Sequence, residues 1–221
     1  MIQPATLKFL SDLEVNNNKP WFQDHKDEYE KGKKNIQDFM QQIWDRLSET
    51  DVLETSKLFR IYRDVRFSKD KTPYKPYFSG YFTRMGKERR GGYYFSLQAG
   101  DRTVVGGGFY DPKKEDLLRI RKEIEFEGER LKAILAQRAF KDTFGELLGE
   151  GVKTAPKGFS KDHPHIDLIR KKQFYAMRTF TDKEVLAPQF AEKVTQTFLN
   201  MRPFFDYMSE VLTTNLNGEK I

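Results

Sequence analysis

The sequence predicts an α+β fold: a mostly antiparallel central sheet of about 4–6 strands flanked by N-terminal, middle and C-terminal helices. Three observations predict it. Apolar residues recur at helical spacing at both ends of the chain, before residue 50 and after residue 111. Between them lie runs rich in aromatic and β-branched residues, joined by glycine-containing turns too short for crossovers. Aromatic residues make up 14% of the chain, more rings than a surface can expose, so a packed core follows rather than disorder.

Phe9 with Leu7, Leu10 and Leu13 marks a short first helix, which Asn16 and Asn17 end, since asparagine tolerates the left-handed cap. Asn18 then caps a second helix with Pro20 in its first turn. Gly32 is expected to interrupt it, and Ile36, Phe39, Met40, Ile43 and Leu47 continue the apolar stripe. Residues 77–84, 93–98 and 102–106 read as strands, and Phe59 to Phe67 as a further one. Asp111 and Pro112 look like the cap and first position of the next helix, with Leu117, Ile120 and Ile124 on its buried face and Gly128 as a separator. Phe140, Phe144 and Leu147 suggest another short helix, residues 166–172 a further one, and residues 173–180 alternate like a strand. Thr181 and Glu184 form a capping box. Phe190, Val194, Phe198 and Met201 open the last helix, which Pro203 should kink or divide. No linker or repeat appears, so residues 1–221 are expected to form a single α+β domain.

The chain has no cysteine, which excludes disulfides, thiolate catalysis and cysteine-ligated zinc. The first residues lack a basic stretch followed by an apolar core, and no apolar run approaches membrane-spanning length. A cytoplasmic protein with no membrane partner is expected. The formal net charge is +6, yet Lys57 to Arg90 alone carries 11 Lys or Arg against 3 Asp or Glu. Basicity is therefore local, and a local basic field attracts phosphates, nucleic acid or acidic surfaces.

Its densest part runs from Leu58 to Lys75. Arg60, Arg63, Arg66, Lys69, Lys71 and Lys75 are interleaved with Tyr62, Phe67 and Tyr74 and opposed only by Asp64 and Asp70. Guanidinium forks match carboxylate and phosphate oxygens, and like charges at this density repel unless an anion or acidic neighbours sit among them. The flanking Pro73 and Pro76 hold Tyr74 and Lys75 in extended geometry. Three functions remain open. A small phosphate- or carboxylate-bearing ligand is held by Arg60, Arg63, Arg66 and Lys71 and oriented by Tyr74 and Lys75, with Asp64 the nearest group for any proton transfer. Alternatively, nucleic acid binds along residues 57–90 through stacking and phosphate contacts. Or the arginines are paired internally, in a structural or protein-interaction domain.

Across these residues the chain resembles the domain of unknown function 2461 family. The matching pieces are Phe9-Leu10 with Leu13, Asn16-Asn17 and Trp21-Phe22, then Arg63-Asp64, Arg66-Phe67-Ser68, Asp70-Lys71 and Pro73-Tyr74-Lys75, then Gly106-Gly107-Gly108 with Pro112, and Pro156-Lys157-Gly158-Phe159. The resemblance covers nearly the whole chain. It implies one soluble α+β domain and places weight on the same basic segment; it carries no mechanism and no cofactor.

Other segments have chemistry of their own. Gly106, Gly107 and Gly108 lie between a strand and a helix start, and either let another backbone pack closely or, at Gly107 and Gly108, give an anionic ligand room beside the arginines. Their spacing is neither a dinucleotide fingerprint nor a P-loop. His163 and His165 with Asp167 have metal-ligand character, but a third strong ligand is not evident, and no metal site is expected. Lys157, Arg170, Lys171 and Lys172 form a second basic group read as surface, and Arg121 follows the glycine run on its helix.

Overall fold

The computed structural model describes residues 1–215, 219 and 220. Pro4 sits in the first turn of α1 (Pro4–Val15), which buries Leu7, Phe9, Leu10 and Leu13. Asn18 caps α2 (Lys19–Asp24), its side chain accepting the Trp21 N–H. The interruption expected at Gly32 falls instead at His25, and α3 runs unbroken through Lys26–Ser48. Gly32 lies on the buried face of α3, where a Cβ would stand 3.4 Å from the Phe78 ring, an ordinary van der Waals contact.

Five strands follow: β1 (Leu53–Leu58), β2 (Phe78–Arg84), β3 (Gly92–Leu97), β4 (Thr103–Phe109) and β5 (Phe174–Phe180). They form one antiparallel sheet in the order β1-β2-β3-β4-β5. Every neighbour in the sheet is a neighbour in sequence. Two of the connections are long. Residues 59–77 join β1 to β2 and carry the basic segment, while α4 (Lys114–Ala136), α5 (Arg138–Phe144) and α6 (Ile166–Ile169) lie between β4 and β5. The Thr181 capping box is formed with both of its bonds and starts α7 (Asp182–Val185), and α8 (Phe190–Thr213) ends the fold.

Several expectations are corrected. Phe59 to Phe67 is not a strand; the strand lies just before it, where Glu54 to Lys57 are exposed and only Leu53 is buried. An edge strand needs no apolar alternation. The helix expected to start at Asp111 starts at Lys114 with no side-chain cap. The separation expected at Gly128 falls one residue earlier: at Glu127 (φ −139°, ψ 47°) the backbone leaves helical geometry, and two helical stretches meet across that kink within α4. A Cβ at Gly128 would run into the His165 ring, which packs there. Pro203 does not divide α8, whose Phe198, Phe204 and Phe205 are fully buried on either side of it.

By contacts the chain divides into two compact units. The first comprises Met1–Thr83, Tyr94–Val105 and Thr179–Gln196. Its core stacks Phe39 on Phe190 at 5.2 Å and sets Phe39 against Phe95 at 5.5 Å. The second comprises Arg84–Tyr93, Gly106–Arg178 and Thr197–Ile221. There Tyr93 lies between Phe198 and Phe205, at 4.9 and 5.2 Å. Among the described residues, no helix is long and apolar enough to cross a membrane.

Candidate functional site

The β1–β2 connection is ordered although it is not a strand. Tyr62 and Tyr74 form an isolated antiparallel bridge, the Arg63 N–H donates to the Pro73 carbonyl at 2.9 Å, and the Lys75 N–H donates to the Ile61 carbonyl at 2.8 Å. These bonds close residues 64–72 into a tip. The N-terminal helices hold the stem. The Asn17 side chain donates to the Tyr74 carbonyl at 2.9 Å and accepts the Tyr74 N–H at 3.1 Å, so one amide replaces a strand partner. Phe22 stacks on the Tyr74 ring at 4.0 Å and 13°. Asn17 and Phe22, far away in sequence, thus fix the backbone and the ring of one residue in the basic segment.

Inside the tip, both aspartates make the same turn. Asp64 accepts the Arg66 N–H at 3.2 Å and Asp70 accepts the Thr72 N–H at 2.9 Å, each carboxylate reaching two residues ahead in an Asx turn. Each also takes an arginine. Arg66 forks onto Asp64, with Nε–Oδ1 at 3.0 Å and Nη2–Oδ2 at 2.6 Å. Arg63, half-buried, donates to Asp70 and to the Thr72 hydroxyl. Lys71 donates to the Val65 carbonyl at 2.9 Å. So Arg63 and Arg66 already have carboxylates, and Lys71 has a carbonyl. Asp64 is held ionised by Arg66, which makes it an acceptor in this turn and a poor proton carrier.

Asp70 provides a test of this geometry. The Thr72 N–H, then Arg63, hold its carboxyl down at about 2. A carboxyl that titrates lower in the folded than in the unfolded chain adds stability above its unfolded value, and that stability is lost as pH falls through the folded value. The contribution should therefore be full above about pH 4 and fade toward about pH 2. Carbon-detected NMR titration of the Asp70 carboxyl is expected to show a midpoint near 2, moving up toward 3.8 in Arg63→Ala. A midpoint near 3.8 in the native protein contradicts the pairing.

Arg60 is different. It is exposed and makes no ion pair among the described residues. It lines a groove of about 330 Å³ with Tyr29, Lys33 and Gln37 on one side and Phe59, Tyr62 and Phe78 on the other. Tyr29, Lys33 and Gln37 stand at i, i+4 and i+8 on α3, which places them in one stripe. Lys33 reaches Glu30 only at 3.4 Å, in an exposed contact of the kind that contributes little. Burial pushes the Tyr29 phenol up from its ordinary value, so it stays a donor. Lys75 donates to the Arg60 carbonyl at 3.3 Å; its burial and Arg60 lower its pKa. The groove therefore offers an unpaired guanidinium, a loosely held ammonium and an amide between aromatic walls.

The remaining candidates are not among the residues that line this groove. Gly107 and Gly108 belong to the second unit and Arg60 to the first. Gly107 faces the Gly92 carbonyl and the Phe205 ring, and Gly108, at φ +142°, the backbone of Phe174 and Tyr175. Neighbouring strands fill the space left open by those missing side chains. The His163 ring donates to the Glu125 carbonyl (3.1 Å), and the His165 ring, buried, stands 3.6 Å from Glu129. Arg121 donates to the Lys171 carbonyl at 3.1 Å. Sequence reasoning missed Tyr29, Lys33 and Gln37 as groove residues. Their four-residue spacing was legible, but nothing in the sequence shows which strand or loop that stripe faces.

Residues 5–207 match a family described as a conserved hypothetical protein, DUF2461. No curated protein and no solved structure matches the chain.

Proposed function

The chain belongs to the DUF2461 family, and for it we propose a binding function: the groove at Arg60 takes a small molecule that joins a phosphate or carboxylate to a flat apolar body. One observation carries this reading. Arg60 is the arginine of the basic segment left without a carboxylate among the described residues, and it lines a groove with aromatic walls. Arg60 and Lys33 suit the anion, since a guanidinium and an ammonium can both donate to one phosphate. Tyr62 and Phe59, each partly exposed, suit the flat body. Arg63, Asp64, Arg66 and Lys71 then serve the loop, and Tyr74 and Lys75 anchor its stem.

Calorimetric titration with adenosine monophosphate tests this. Arg60→Ala is expected to weaken binding about 10- to 100-fold, the effect of losing a charge-assisted hydrogen bond of about 1.5–3 kcal/mol. Arg66→Ala should change it by no more than about twofold, because Arg66 is spent on Asp64. Equal losses in both variants, or none in Arg60→Ala, overturn the assignment.

A second reading rests on a separate observation. Phe67 is 97% exposed at the tip, with the Arg66 guanidinium 5.9 Å from its ring centroid and Lys69 nearby in sequence. An uncovered ring among cations suits stacking on a single-stranded base. A labelled oligonucleotide separates the readings: loss of affinity in Phe67→Ala with steep salt dependence favours nucleic acid, whereas binding that depends on Arg60 alone favours the groove.

A further inference from the structure

We propose that a groove formed by α4, α5 and α6, with the start of the segment that follows α5, binds a short aliphatic peptide by its two free termini. The groove lies wholly within the second unit and holds about 460 Å³, inside the range of about 300–1,000 Å³ usual for small-molecule sites. Its floor is apolar: Leu147 and Leu168 are buried there, and Leu135 of α4 is half-buried beside them. Its charged lining is Lys132 of α4, Lys141 of α5 and Lys171, against the carboxylates Glu146 and Asp167. Lys171 belongs to the second basic group of the sequence, which the anion groove leaves unused.

These opposite charges do not close on one another. Elsewhere on the same helices they do: Lys122 meets Glu125 at 2.8 Å and Arg138 meets Asp142 at 3.2 Å. In the groove, no lysine lies within ion-pair distance of either carboxylate among the described residues. The ammonium groups are loosely held. Lys132 and Lys171 each reach a backbone carbonyl only at 3.4 Å, those of Pro164 and Gly149, which is long for a hydrogen bond. The side chains of Lys141, Glu146 and Asp167 make no hydrogen bond among the described residues.

This pattern selects the ligand. A plain carboxylate would meet Glu146 and Asp167, a plain amine would meet three lysines, and like charges repel. A molecule with a carboxylate at one end and an ammonium at the other meets both kinds of lining group with the favourable sign. Its charge-assisted bonds displace no ion pair that the protein already makes. The apolar floor takes an aliphatic body. A dipeptide of aliphatic residues has this form: opposite charges held apart by one peptide unit, with apolar side chains.

Leucyl-leucine is the probe, and three analogues each remove one feature. Leucyl-leucinamide lacks the carboxylate, N-acetyl-leucyl-leucine lacks the ammonium, and diglycine lacks the aliphatic side chains. In calorimetric titrations of the full chain, leucyl-leucine is expected to bind saturably below about 1 mM. Each analogue should bind at least about tenfold more weakly, the scale of one charge-assisted bond or one buried aliphatic side chain. Lys141→Gln and Glu146→Gln remove exposed groups that bond to nothing, so both variants should melt with the wild type. Lys141→Gln should weaken leucyl-leucine about tenfold and leave leucyl-leucinamide unchanged. Glu146→Gln should weaken leucyl-leucine to the same degree and leave N-acetyl-leucyl-leucine unchanged. A residue that serves only the fold does not produce that matched loss. Arg60→Ala should alter none of these values, which keeps the site distinct from the anion groove. Absence of saturable leucyl-leucine binding, equal binding of N-acetyl-leucyl-leucine (an unselective anion site), or equal losses for the probe and its analogue in either variant overturns the proposal.

Discussion

Gly106→Ala is expected to destabilise the protein by at least about 3 kcal/mol, enough to threaten a domain whose whole stability is about 5–15 kcal/mol. A Cβ at Gly106 would lie 2.8 Å from the Met177 sulfur and closer still to the carbonyl oxygen of Ala176 on β5. Overpacking usually costs about 1–3 kcal/mol, because side chains move aside. Here the main obstacle is backbone, and β4 is an interior strand between β3 and β5. The next two positions are no more forgiving. At Gly107 a Cβ would meet the Gly92 carbonyl of β3, and at Gly108 the Phe174 carbonyl of β5, with φ at +142°. The strand can yield only by breaking its ladder bonds. Urea denaturation followed by circular dichroism gives the value; a loss under about 1 kcal/mol contradicts the view that the glycines exist for strand packing.

Phe22→Ala is expected to cost about 3–5 kcal/mol. Phe22 is fully buried and touches four other rings: Phe9, Tyr29, Tyr62 and Tyr74. Truncating it leaves a cavity under the stem of the β1–β2 connection. Two of those rings, Tyr29 and Tyr62, also line the Arg60 groove. The variant should therefore lose anion binding along with stability, although residue 22 does not line the groove. Phe22→Leu retains most of the volume and should cost less, about 1–1.5 kcal/mol. Thermal melts and adenosine monophosphate titrations of the two variants read both effects. Full stability in Phe22→Ala contradicts the packing described.

The fold was largely legible because its signals are local. Asn18 and Pro20 mark a helix start by their own chemistry, and Thr181 with Glu184 does the same; both caps form. The three aromatic strands stand where alternation and glycine turns place them. What escaped was set by partners distant in sequence. Gly32 looks like a breaker, yet α3 runs through it with Phe78 against its buried face. β1 is polar along most of its length, so no apolar pattern announces an edge strand. Residues 59–67 have strand composition, but Ile61 to Arg63 pair with residues 73–75 of the same connection, which Asn17 holds at Tyr74, and the chain turns at Asp64.

The same division applies to the site. Charge density and aromatic interleaving identified the basic segment, and sequence alone could not apportion its charges. Asp64 and Asp70 appeared too few for the cluster. They engage Arg66 and Arg63, one each, because each also accepts a backbone N–H two residues ahead. That pairing leaves Arg60 facing the groove, beside a lysine from a helix almost thirty residues earlier in the chain.

The most direct test is a crystal structure of the protein with adenosine monophosphate. The phosphate should lie within hydrogen-bond distance of the Arg60 guanidinium and the Lys33 ammonium, with the base against Tyr62 or Phe59. Phosphate density between Arg63 and Arg66, with Asp64 and Asp70 displaced, or an empty groove at saturating nucleotide, contradicts the account.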